Sequence, residues 1–90
     1  MSADPVAWLV IEHGWKVVDR QGNELGTVAE VLGDEDNDIF SGLSVASGLL
    51  HRPRYVPAEH VTRIVEGEVE VDLDQDSFDR LAEYEPPAPA

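Results

Sequence analysis

Cysteine is absent from the 90 residues, lysine occurs once, at Lys16, and no apolar run approaches the length needed to cross a membrane. Without cysteine, neither a disulfide nor a thiolate metal site can support the fold, so apolar packing must carry it. A chain of this length forms one domain and buries only about 60–65% of the surface it exposes when unfolded, which limits it to one modest core. Basic side chains are scarce: six against nineteen acids, for a formal charge of −13. That charge opposes approach to phosphates and anionic lipid, so neither direct nucleic-acid binding nor membrane insertion is expected. The first residues lack a basic region, and the apolar run over residues 6–11 is too short for a signal peptide core. A cytoplasmic protein with an acidic, solvated surface is the expectation.

What is present is short and strand-like. Asp4-Pro5 reads as a helix cap with proline at the first helical position, and residues 6–11 fit either one short turn or a first strand. Residues 16–19 read as a strand, Arg20-Gln-Gly-Asn23 as a tight turn and residues 25–32 as the returning strand, in which Gly26 signals a bulge or a close backbone approach. A polar connection over residues 33–38 leads to a long strand over 39–49. There Leu43, Val45 and Ser47 share one face, and Gly42, Ser44 and Ala46 share the other. A break at residues 50–53 precedes a strand at 54–56, a single turn at 57–60 and a strand at 61–65, with Gly67 turning a hairpin. The cleanest alternation follows: Val69, Val71 and Leu73 on one face, Glu68, Glu70 and Asp72 on the other. Asp76 is placed to cap a short helix whose stripe is Phe78, Leu81 and Ala82. Many short strands with little helix favour a small closed or nearly closed barrel.

The order of these motifs resembles a known family. Gly14-Trp-Lys-Val-Val-Asp-Arg-Gln-Gly-Asn-Glu-Leu-Gly-Thr-Val28 is similar to the opening of PRC-barrel domains: a glycine and valine, an acidic turn ending in glycine, and a Leu-Gly-x-Val strand. The acidic turn at residues 34–38, the long strand at 39–48 and Arg54-Tyr-Val-Pro-Ala-Glu-His-Val61 continue the likeness, which spans residues 14–73. The resemblance implies a mostly β fold, a six-stranded barrel with a short C-terminal helix, acting as a non-enzymatic protein-docking module with no catalytic residues to carry over. The expected divisions are an N-terminal cap at 1–13, the barrel at 14–74, a helix at 75–84 and a disordered tail at 85–90. Relatives include the cytoplasmic domain of the photosynthetic reaction-centre H subunit and the C-terminal domain of a ribosome maturation factor. Neither the membrane helix of the first nor the N-terminal domain of the second is expected here, which counts against photosynthetic and ribosomal roles.

No catalytic, cofactor or metal residues are assigned. His13, His51 and His60 are too scattered for a ligand set, and Ser41, Ser44 and Ser47 sit on a strand and outside any nucleophile elbow, as packing residues. Asp72, Asp74 and Asp76, with Glu83 at the twelfth position, match part of a calcium-loop spacing, but Ser77 replaces its glycine and a strand replaces the entering helix. One stretch departs from the acidic background. Arg52, Arg54 and Arg63 fall within residues 51–63 against the single acid Glu59. With Leu50, His51 and Tyr55 beside them, Arg52 and Arg54 form an arginine–aromatic–apolar patch of the kind enriched at interfaces. Two readings stand for this stretch: the arginines pair with nearby acids across the barrel, or Leu50, His51, Arg52, Arg54 and Tyr55 are partner-binding residues, in a homodimer or on a larger, unidentified protein. Two alternatives stand beside the docking reading: a regulator that binds a small molecule or divalent ion, and an assembly factor that contacts ribosomal protein.

Overall fold

The computed structural model describes residues 7–48 and 52–84. Six strands form one mixed sheet: β1 (Lys16–Val18), β2 (Glu24–Asp34), β3 (Ile39–Ala46), β4 (Arg54–Pro57), β5 (Val61–Val65) and β6 (Glu68–Val71). Their order is β4-β3-β2-β1-β6-β5. Neighbours are antiparallel except β1 and β6, which run parallel with Lys16 opposite Glu68. The fold is therefore mostly β with one short helix, α1 (Gln75–Asp79).

Hydrogen bonding does not close the sheet among the described residues, yet chain geometry forces it to curl. Laid flat, six strands would hold β4 and β5 about 24 Å apart at about 4.8 Å per step. Those two edge strands are joined only by the 3-10 turn Ala58–His60. From Pro57 to Val61 the chain reaches at most about 15 Å. The edges must approach each other at that end, and the inner face wraps one core of Val17, Val28, Leu43, Val45, Val56, Val69, Val71 and Phe78, each no more than 1% exposed. Register shifts at Val17/Val18, Val28/Glu30 and Leu32/Gly33 supply the bending.

Local chemistry sets the turns. The Asp19 carboxylate accepts from the backbone N–H of Asn23 and of Gln21, both at 2.9 Å. Asp34 accepts from the Asn37 side chain at 2.6 Å and from the Asp36 N–H at 3.0 Å. The helix cap is Asp74, not Asp76: the Asp74 side chain accepts from the Ser77 N–H at 2.8 Å. Asp76 lies one residue inside the helix, in its first turn. The helix ends at Asp79, so Leu81 packs on the core from beyond it, while Ala82 is exposed and leaves the expected stripe.

These hydrogen bonds hold the three carboxyls below the usual range, through the Asn23 N–H at Asp19, the Asn37 side chain at Asp34 and the Ser77 N–H at Asp74. A carboxyl depressed in the folded state stabilises the fold above its unfolded pKa of about 4, and that contribution is lost as pH falls through the folded value. Thermal melts on descending into that acid window should therefore show falling stability. Asp74→Ser should keep the cap hydrogen bond and remove its share of the acid slope. An unchanged slope would show that Asp74 contributes nothing to it.

At the opposite end, a 3-10 turn at Trp8–Val10 resolves the choice left open for residues 6–11 in favour of a turn. The Asp4-Pro5 cap lies outside the described residues. Trp8 fastens the turn to the β2–β3 hairpin. Its indole N–H donates to Asp38 Oδ1 at 2.9 Å, and its ring stacks on Phe40 with centroids 5.2 Å apart. Gly33 makes room for it, since a Cβ there would sit 3.0 Å from the Trp8 ring and overlap the Ile39 carbonyl.

Candidate functional site

The arginine–aromatic stretch occupies β4 and the residues before it. Leu50 and His51 lie outside the described residues, and Arg52 is exposed. Arg54 and Tyr55 are half-buried and engage the chain's own C-terminal segment. Arg54 Nη1 donates to the Leu81 carbonyl at 2.7 Å, the Tyr55 N–H to Ala82 at 3.0 Å, and the Tyr84 N–H to Pro53 at 2.7 Å. Arg54 and Glu83 form an antiparallel bridge, and the Tyr55 and Tyr84 rings stack with centroids 6.3 Å apart. Residues 82–84 thus run along β4 as a rudimentary seventh strand, and the Tyr55 hydroxyl ties the other side by donating to the Ser41 carbonyl at 2.8 Å. This contact pairs Arg54 with a backbone carbonyl, where sequence patterning offered it only acids or a partner.

The acidic and polar residues singled out in the sequence also acquire roles. Asp72 pairs with His60 Nδ1 at 2.8 Å, and Asp74 caps α1, so two carboxylates of the calcium-like spacing point to protein groups. Among the described residues no three His, Asp or Glu side chains converge as a metal-ligand group. Ser44 is buried at 1% exposure, on the strand between the core residues Leu43 and Val45, whereas Ser41 is exposed and Ser47 half-buried. The two faces expected for β3 merge at its centre, where Gly42 through Val45 are all buried.

A second surface surrounds the N-terminal turn. Leu9 and Val10 stay 50% and 47% exposed there, although the turn itself is pinned by Trp8. Behind them Trp15 is half-buried against the core, and Val10, Glu12, Trp15 and Glu66 line a cleft of about 340 Å³. The sequence signal for this surface is the pair of tryptophans near the chain start, Trp8 and Trp15. The neighbours that complete it come from the β2–β3 and β5–β6 turns, remote in sequence.

The PRC-barrel domain family matches residues 13–78, nearly three-quarters of the chain. The chain belongs to this family. PRC-barrel domains are in general protein-interaction modules and are not catalytic. Membership agrees with the sheet order and the curl imposed by the three-residue link between β4 and β5, so the PRC-type barrel read from motif order is the fold of this chain. Comparison with the curated proteins found no match. Among the described residues no helix is long and apolar enough to cross a membrane.

Proposed function

We propose that this PRC-barrel is a protein-docking module that works through the surface around its N-terminal turn. The observation that carries the proposal is the pair Leu9 and Val10, half-exposed on a turn that the Trp8–Asp38 hydrogen bond and the Trp8–Phe40 stack hold rigid. Large apolar side chains held in place before binding lose little conformational freedom on association, which is how a small surface gains affinity. The stretch Leu50, His51, Arg52, Arg54 and Tyr55 enters the proposal as a second contact through exposed Arg52. Arg54 and Tyr55 shape it from behind by anchoring residues 81–84.

Light scattering coupled to size exclusion, followed by cross-linked recovery from native lysate, tests the reading. Leu9→Asp is expected to abolish the self-associated or partner-bound species while leaving the melting temperature within about 2 °C, because the side chain is half in water. Arg52→Glu should weaken the same species less. A monomer that recovers no partner, or complexes indifferent to both substitutions, would overturn it.

A further inference from the structure

We propose that the cleft lined by Val10, Glu12, Trp15 and Glu66 receives an arginine side chain from the docked partner. The inference rests on the docking reading and names the chemistry of one part of it. The cleft combines two features that select the same ligand. Its four lining residues are two large apolar ones, Val10 and Trp15, and two exposed acids, Glu12 and Glu66, with no basic residue among them. An anion is repelled by Glu12 and Glu66 and by the net charge of −13. A hard divalent cation wants six or more oxygen ligands, and an indole and a valine supply none. A neutral apolar side chain would satisfy Val10 and Trp15 and desolvate two carboxylates without return.

Arginine satisfies all four residues. Its methylene stem covers Val10, its planar guanidinium stacks on an indole face, and its forked N–H groups reach carboxylates on the rim. The position of the cleft suits a partner's side chain, since it adjoins the exposed Val10 of the N-terminal turn and the β5–β6 turn at Glu66. Trp15 is held beside the cleft by its backbone, which donates to the Glu12 carbonyl at 3.2 Å, while its own carbonyl accepts from the Val28 N–H at 2.8 Å. A second copy of this chain, as acidic as the first, is a poorer source of the arginine than a basic segment of another protein.

The test is a titration of the full chain with the blocked tripeptide acetyl-Gly-Arg-Gly-amide, followed through the two indole N–H resonances. The Trp15 resonance should move saturably and that of Trp8, hydrogen-bonded to Asp38, should not. Replacing arginine by citrulline, which keeps the shape and removes the charge, should weaken binding about tenfold, and Glu12→Gln with Glu66→Gln should do the same. Both glutamates are exposed, so the double variant folds. Equal binding of the citrulline peptide, indifference to the two substitutions, or spermidine binding as tightly as the arginine peptide would overturn the proposal. Leu9 does not line the cleft. If the peptide fails while Leu9→Asp still dissolves the complex, the docking reading stands and only the arginine assignment falls. If both fail, both fall.

Discussion

Phe78→Ala is expected to destabilise the domain by about 3–5 kcal/mol, the largest effect of any single truncation proposed. Phe78 is fully buried and is the only buried residue of α1. A five-residue helix cannot persist alone, because nucleation costs more than one turn returns. Removing the ring therefore leaves a cavity in the barrel and also releases the helix. At about 4–8 °C per kcal/mol for a domain of this size, the melting temperature should fall by at least about 12 °C. Hydrogen exchange gives a second reading. Tyr55 donates its amide to Ala82, just beyond the helix, so protection at that amide should drop more than protection at Val45 in the middle of the sheet. A loss below about 1 kcal/mol, or unchanged Tyr55 protection, would mean that residues 81–84 hold to β4 without the helix.

Gly26→Ala is the second large effect, and it arises from crowding. Gly26 lies in β2 opposite Val17 of β1, where β3 crosses closely. An added Cβ would overlap the backbone carbonyl of Ala46 and stand 2.9 Å from Val45 Cγ1. Neither neighbour yields cheaply, since Ala46 is held in the β2–β3 ladder and Val45 is fully buried and also paired to β4. Overpacking of this kind costs about 1–3 kcal/mol, and with backbone as the obstacle the expectation is the upper end. Urea denaturation measures it directly. A change under about 0.5 kcal/mol would show that β3 can slide away from β2, and that the strand contact is looser than the geometry implies.

Legibility of the fold varied with how wet each element is. β6 was plain in the sequence because one face meets water: Val69, Val71 and Leu73 are buried, while Asp72 is exposed and Glu68 and Glu70 are partly so. β3 resisted the same treatment because its centre is covered on both sides, which erases alternation from Gly42 to Val45. The helix cap was displaced by two residues because Asp72, Asp74 and Asp76 are alike as residue types. Only the direction of the Ser77 N–H selects Asp74. Gly26 was readable, since a glycine inside a strand pattern marks a bulge or a close backbone approach, and here Ala46 and Val45 crowd it.

The surfaces were less legible, for a different reason. Composition picked out Arg52, Arg54 and Tyr55 as unusual, and they are, but two of the three turn inward on Leu81, Ala82 and Tyr84. Charge patterning distinguishes a rare residue type without saying whether its partner lies inside the same chain. The N-terminal surface joins Trp8 to Asp38 and Trp15 to Glu66, pairings that depend on strand order and leave no local periodicity.

The parallel pairing of β1 with β6 also governs how the chain can fold. Strands β1 to β4 form a meander and β5 with β6 a hairpin, so each half can assemble from contacts between successive segments. Joining Lys16 to Glu68 requires closing nearly the whole domain into a loop, at an entropic cost that no short-range contact offsets in advance. Such non-local pairing slows folding. The rate-limiting step is expected at the β1–β6 seam, where substitutions should change the folding rate most, while changes in the β5–β6 turn should act mainly on unfolding.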